Sequence, residues 1–124
     1  MYQVTKRIGV AGAHRLCLPY KSGCSNLHGH NWIIHVTCKA RTLNSEGMVI
    51  DFSHIKRIVM RLDHVNVNGV LSDYTNPTAE NIAKWIYDQI MSPAVKISEC
   101  PSREFAVTEV RVQESEGNEA CYIR

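Results

Sequence analysis

Leu27-His28-Gly29-His30-Asn31-Trp32-Ile33-Ile34-His35-Val36-Thr37-Cys38-Lys39-Ala40 is the stretch on which the fold turns. Its centre, Trp32 to Thr37, is dominated by aromatic and β-branched residues that suit a pleated, half-buried surface, so one long strand is predicted over Leu27 to Ala40. Upstream, Tyr2 to Ala13 reads as a second extended segment, with Gly9 and Gly12 as expected bulge positions. The loop-like stretch Pro19 to Gly23 allows these two strands to pair antiparallel. Downstream, Asn44, Ser45 and Gly47 mark a turn before the short apolar run Met48 to Ile50.

Two helices follow. Between Asp51 and Leu62, the apolar residues Phe52, Ile55, Val59 and Leu62 recur at the spacing of one helical face. A polar connection carrying Asn66, Asn68, Gly69 and Asp73 leads to Asn76-Pro77-Thr78, where Thr78 is the expected N-cap and Glu80 lies in the first turn, favoured there by the helix dipole. Ala79, Ile82, Ala83, Ile86 and Ile90 hold one face of the second helix, and Ser92-Pro93 stops it. Phe105 to Val112 and Cys121 to Ile123 read as strands split by the turn Ser115-Glu116-Gly117-Asn118. Strands, two helices, then strands predict an α+β domain with helices on one face of an antiparallel sheet.

The 124 residues, 44% hydrophobic and 21% charged, fit one globular domain over 1–124 and exclude a disordered chain. No apolar run approaches the ~20 residues of a membrane span, and MYQVTKRIGV does not read as a signal peptide, so no membrane partner is expected. A net charge of +2 is too mild for a nucleic-acid binder. Five cysteines with no CxxC pair predict free thiols and a cytoplasmic location.

Chemistry concentrates at the histidines. In a strand, His28 and His30 point to the same face about 6–7 Å apart. If the preceding segment pairs antiparallel, His14 completes a three-nitrogen face, the pattern of a catalytic zinc site with one position open. A His-x-His pair by itself is more often surface or packed histidine; His14 and Gly29, where a backbone or substrate can approach closely, bring the two readings level. By parity His35 faces away, and His54 falls on the first helix outside the cluster. Cys24, four residues before His28 and near Lys21, reads as a base or nucleophile, with a passive loop thiol or a fourth zinc ligand as competing readings. Cys38 shares the histidine face but lies ~33 Å along the strand from His28. Cys17, Cys100 and Cys121 belong to no constellation and are assigned to core packing or adventitious oxidation.

Asp63-His64 suits a proton shuttle, though such pairs also occur at helix ends for dipole reasons. Glu114, at a strand end, can accept a directional fork from the N–H groups of a heterocycle edge, or simply be solvated.

Ala13-His14-Arg15-Leu16, Cys24-Ser25-Asn26-Leu27-His28-Gly29-His30, Gly47 to Phe52, Leu62-Asp63-His64, Asn76 to Asn81 and Glu114 together resemble the 6-pyruvoyl-tetrahydropterin synthase family. The three residues between Cys24 and His28 resemble the branch that makes 6-carboxy-tetrahydropterin for queuosine biosynthesis; the pyruvoyl branch has a longer gap. The resemblance implies a T-fold, a four-stranded antiparallel sheet with two helices on one face. It also implies a homo-oligomeric barrel with active sites between subunits. It implies that His14, His28 and His30 bind zinc, that Cys24 is the general base, and that Asp63 and His64 form a second acid-base element given by a neighbouring subunit. Glu114 would anchor the pterin, and Arg15 and Lys21 are candidates for the triphosphate. Thr78 and Glu80 match a family motif read chiefly as helix capping.

The implied reaction converts 7,8-dihydroneopterin triphosphate to 6-carboxy-tetrahydropterin, acetaldehyde and triphosphate, without a nicotinamide. Pyruvoyl synthase activity, a non-catalytic zinc module and a pterin-binding relative without turnover are the rivals. In one place the chain departs from the family: Val10-Ala11-Gly12-Ala13-His14 stands where Phe-x-Ala-Ala-His is usual, and the added glycine predicts a looser first strand.

Overall fold

In the computed structural model, which describes residues 1–94 and 104–124, the extended segments pair as one antiparallel sheet. Its strands are β1 (Tyr2–His14), β2 (His28–Ala40), β3 (Phe105–Ser115) and β4 (Asn118–Ile123), in the order β1-β2-β3-β4. Alternation along β2 decides which face is covered. Trp32, Ile34, Val36, Cys38 and Ala40 are buried, while Ile33, His35, Thr37 and Lys39 point the other way and are only partly covered. Ile8 and Val10 of β1 and Phe105, Val107, Val110 and Val112 of β3 complete the same apolar face.

Helices α1 (Phe52–Val59) and α3 (Ala79–Met91) cover that face, with the single turn α2 (Val67–Val70) between them in sequence. On α3 the predicted stripe is the buried one: Ala79, Ile82, Ala83, Ile86 and Ile90 are all in the core, joined by Trp85. Each fully buried isoleucine there is worth about 1.5–3 kcal/mol relative to exposure. Thr78 caps the helix, its Oγ1 accepting from Asn81 N at 3.2 Å. α1 departs from expectation. It gives way at Met60–Leu62 to a turn of 3₁₀ helix, and Phe52 is 44% exposed, with the Lys6 ammonium 5.9 Å from its ring centre. Ile55, Val59 and Leu62 are buried as expected, Ile58 joins them, and Asp51 caps the helix by accepting from Ser53 N at 2.8 Å.

The bulges expected at Gly9 and Gly12 are absent from β1, whose pairing with β2 runs unbroken from Tyr2↔Ala40 to His14↔His28. The register shifts lie in β3. One skips Thr108 between Glu109 and Val107, and the other leaves Glu114 without a cross-strand residue between Gln113↔Glu119 and Ser115↔Asn118. Nor does Gly12 loosen β1. A Cβ there would lie 2.8 Å from Trp32 Cζ3 and 3.0 Å from Leu62 O, so the missing side chain is the space into which the indole packs. Gly29, by contrast, has only Gly12 O within 3.5 Å of such a Cβ, an ordinary contact. Cys17 and Cys121 are exposed rather than in the core, where Cys38 is packed instead; Cys100 lies outside the described residues.

The outer edge of β1 is occupied near its C-terminus by the segment after α1. Ala11 N donates to Asp63 Oδ1 at 2.9 Å, His64 N donates to Ala11 O at 2.6 Å, and Ala13 N donates to Val65 O at 3.1 Å. Past the strand's end, the carboxamides of Asn68 and Asn76 continue the pattern on Arg15 and Cys17. The Ala11 N–H, and after it the His64 side chain, hold the Asp63 carboxyl below the usual aspartate range.

Two measurements check this description. Gly12→Ala should cost about 1–3 kcal/mol of stability through overpacking against Trp32, while Gly9→Ala, where a Cβ meets nothing within 4 Å, should stay within ~0.5 kcal/mol by chemical denaturation. The Asp63 carboxyl, followed by NMR, should titrate below the ordinary value. Because its folded pKa is depressed, its stabilising contribution is present above the unfolded pKa and is lost as pH falls through the folded one. His64→Ala should move the titration only part of the way back, since the Ala11 N–H is the larger cause.

Candidate metal centre and active site

The end of the β1–β2 pair builds the centre. His14 lies directly opposite His28, and His30 follows on the same face of β2. The ring centres stand 4.7 Å (His14–His28), 5.1 Å (His14–His30) and 4.9 Å (His28–His30) apart, and one nitrogen from each lies within 4.8 Å of the others. Trp32 is the floor, buried to 1% exposure with its ring 5.1 Å from that of His14.

Backbone carbonyls set the orientation of two rings. His14 Nδ1 is 2.8 Å from Pro77 O, and His28 Nδ1 is 2.7 Å from Asn26 O. A carbonyl only accepts, so each Nδ1 carries the proton and each Nε2 keeps its lone pair. Within the fold, His14 Nε2 and His30 Nε2 are buried with no hydrogen-bond partner. His14 is 0% exposed, and burial pushes its pKa below the ordinary histidine value, more than the Pro77 carbonyl raises it. Three converging imidazoles, two of them with a buried ring nitrogen lacking a partner, fit a divalent cation. Among the described residues no Cys, Asp or Glu joins the cluster, so Cys24 is not placed as a fourth ligand.

Cys24 sits instead on a 3₁₀ turn, Gly23–Ser25, as a half-buried residue. Ser22 Oγ accepts from Cys24 N at 3.1 Å, and Cys24 O accepts from Leu16 N at 2.8 Å, tying the turn back to the chain leaving β1. Beside the histidines an open cleft of about 540 Å³ is lined by Ala11, Gly12, Gly29, His30, Asn31, Glu114 and Ser115. Glu114 Oε1 approaches His30 Nε2 to 3.4 Å, and the bulge at Glu114 is what aims this side chain toward the histidine end of the sheet. Glu114 also borders a second cleft with Glu80 and Asn118.

Asp63 and His64 form the expected pair, with His64 Nδ1 2.6 Å from Asp63 Oδ2. Neither is among the described residues lining the cleft beside the histidines. The His64 ring is 81% exposed, on a backbone with φ of 55°, a left-handed conformation uncommon outside glycine. Arg15 lines a different pocket, of about 340 Å³, with Leu16, Cys17, Leu18, Ser25, Asn68 and Thr75; Lys21 lines neither. The carbonyls of Asn26 and Pro77 and the carboxamides of Asn68 and Asn76 went unpredicted as parts of the site. Their signal was the density of asparagine between the helices, at 66, 68, 76 and 81.

Comparison with known proteins agrees with this geometry. The family model described as 6-pyruvoyl tetrahydropterin synthase matches residues 3–124. A 6-carboxy-5,6,7,8-tetrahydropterin synthase of Rickettsia typhi is 28% identical over 145 residues, covering 99% of both chains. A 6-pyruvoyl tetrahydrobiopterin synthase of Drosophila melanogaster is 31% identical over 105 residues, covering 70% of this chain and 62% of its own. The structure of Caenorhabditis elegans 6-pyruvoyl tetrahydropterin synthase superposes with a TM-score of 0.72 at 23% identity, covering 99% of this chain and 95% of its own, and so shares the fold. With a family match spanning all but the first two residues and a T-fold sheet carrying three convergent histidines, this chain belongs to the 6-pyruvoyl tetrahydropterin synthase family.

Proposed function

We propose that the protein is a zinc-dependent 6-carboxy-5,6,7,8-tetrahydropterin synthase of queuosine biosynthesis. It would convert 7,8-dihydroneopterin triphosphate and one water to 6-carboxy-tetrahydropterin, acetaldehyde and triphosphate. The observation that carries the reading is the three-histidine cluster, whose His30 borders a cleft also lined by Glu114. Supporting the carboxy branch are the Cys24-x-x-x-His28-Gly29-His30 spacing and the name of the full-length Rickettsia typhi relative.

In this reading His14, His28 and His30 hold zinc, which when bound supplies Lewis acidity toward oxygens of the substrate side chain. Glu114 accepts the N–H fork of the aminopyrimidine edge and fixes the ring in the cleft. Cys24, as thiolate, removes a proton from the side-chain carbon. His64 moves protons on the opposite face, its Nδ1–H held by Asp63 so that Nε2 is free to accept or return one.

The exposure of His64 favours its action in the site of a neighbouring subunit. β1 and β4 are the two edges of the sheet, which suits closure of several subunits into a barrel. No helix among the described residues is long and apolar enough to cross a membrane, in keeping with the proposed cytoplasmic location.

The Drosophila melanogaster relative favours a second reading, pyruvoyl synthase activity, in which triphosphate is eliminated and the side-chain carbons are kept. Product identification decides between them. Anaerobic incubation of the zinc-loaded protein with 7,8-dihydroneopterin triphosphate should give 6-carboxy-tetrahydropterin and acetaldehyde by mass spectrometry. A pyruvoyl product would transfer the protein to the sister activity, and no turnover with zinc bound would sink both. Cys24→Ala should lower kcat by about 10²–10⁴-fold with zinc content unchanged, whereas His28→Ala should lose zinc and activity together.

A further inference from the structure

Along one edge, Ala11, Arg15 and Cys17 have both their N–H and C=O groups engaged by the segment 63–76, and Ala13 has its N–H engaged. The first two are met by the Asp63 carboxylate and by backbone. At Arg15 and Cys17 no strand is present, and an asparagine carboxamide takes the place of each backbone rung. Asn68 Oδ1 accepts from Arg15 N at 2.9 Å while its Nδ2 donates to Arg15 O at 2.9 Å. Asn76 Oδ1 accepts from Cys17 N at 2.6 Å while its Nδ2 donates to Cys17 O at 3.0 Å. A carboxamide is suited to this because it offers one acceptor and one donor side by side, as a peptide group does.

Both asparagines are themselves fixed. Asn68 N donates to Asn66 Oδ1 at 3.1 Å in the first turn of α2. Asn76 O accepts from Asn81 Nδ2 at 2.7 Å in the first turn of α3, and the next carbonyl, Pro77 O, is the one that orients His14. Between the two clamped residues lies Leu16, whose N–H points the other way and donates to Cys24 O at 2.8 Å. One short frame thus connects the His14 ring, the chain 15–17 and the Cys24 turn. Without it, residues 15–27 form a 13-residue connection between β1 and β2, anchored only at its ends.

We infer that Asn68 and Asn76 are positioning residues for Cys24: their carboxamides extend the β1 ladder beyond the strand and hold the Cys24 turn in register with the three-histidine centre. The inference rests on the proposed role of Cys24 only for its effect on turnover; the clamp itself concerns the fold. The Asn68 carboxamide touches neither the His14↔His28 pair nor the Pro77 carbonyl, so its loss is expected to separate metal binding from Cys24 placement. A catalytic group displaced by an ångström costs on the order of 10²-fold.

The test uses the zinc-loaded protein with Asn68→Ala, Asn76→Ala and Asn76→Asp, the last keeping an acceptor for Cys17 N but setting a carboxylate oxygen against Cys17 O. Amide hydrogen exchange at Arg15, Cys17 and Cys24 should quicken by about tenfold or more, as local opening becomes easier. Alkylation of the Cys24 thiol, read peptide by peptide by mass spectrometry, should change rate in parallel. Zinc content should stay at the wild-type level, and kcat should fall by about 10–10²-fold with KM changed far less. Wild-type exchange and alkylation in these variants would overturn the clamp. If instead Cys24→Ala retains turnover while the asparagine variants still loosen the segment, the clamp stands and the base assignment fails. Should Asn76→Ala not fold, Asn68→Ala carries the same test, because it leaves the Asn81–Asn76–Pro77 frame intact.

Discussion

The site depends on the register of β1 against β2, in which His14 faces His28. Strand side chains alternate, so a slip of one residue would send His28 and His30 to the opposite face of the sheet and dissolve the cluster. That register is held over thirteen consecutive pairs, from Tyr2↔Ala40 onward, and by the burial of Ile8, Val10, Trp32, Ile34 and Val36 on one side. Burial of an apolar face is what makes a register costly to change. The histidine end of the sheet therefore inherits its geometry from a core that extends well away from it. Gly12 is the local expression of the same constraint: the indole that floors the histidines occupies the place of its side chain.

Pairing brings the rings together, and two backbone carbonyls decide what they present. Pro77 arrives from the start of α3 and Asn26 from the loop before β2, so two separate elements assign the tautomers of His14 and His28. The Asn76-Pro77-Thr78 sequence serves three purposes within three residues. Asn76 clamps Cys17, Pro77 orients His14, and Thr78 caps α3. The isoleucine face of α3 anchors all three, since the cap and the preceding carbonyls move only if the helix moves. Burial of Ile82 and Ile86 is thus connected to the orientation of the His14 ring through one helix terminus.

Some of this was legible in the sequence because it follows from short periodicities. His28 and His30 share a face by the period of two, α3 follows the period of 3.6, and the helix start is written in Thr78. The α+β order of elements follows in turn. What could not be read depends on contacts between distant residues. Asn68 and Asn76 look like ordinary loop polarity until Arg15 and Cys17 are beside them, more than fifty residues away in sequence. The bulge that aims Glu114 is a mismatch between two strands, so neither strand alone shows it. Of the expected α1 stripe, Ile55, Val59 and Leu62 are fully buried and only Phe52, the first residue of the helix, faces outward. Gly12 was given the generic meaning of glycine in a strand, when its reason was the volume of Trp32.

The ladder on β1 also divides the sheet's edge. From Ala11 to Cys17 the backbone groups are consumed internally, by Asp63, His64, Val65, Asn68 and Asn76. Ahead of Ala11, the described residues place no strand on the outer side of β1. A strand from another subunit, added to that edge in the proposed barrel, has only Tyr2 to Val10 to pair with and must end where residues 63–66 begin. His64 stands at that boundary with its ring in solvent and its backbone held in a left-handed conformation by Ala11 and Asp63. In the proposed barrel, the feature that closes the site's own frame would therefore also bring the Asp63–His64 pair to the border between subunits. A protein assembled in the proposed way would need no long loop to carry a histidine across, because the end of its own ladder would put His64 at the seam.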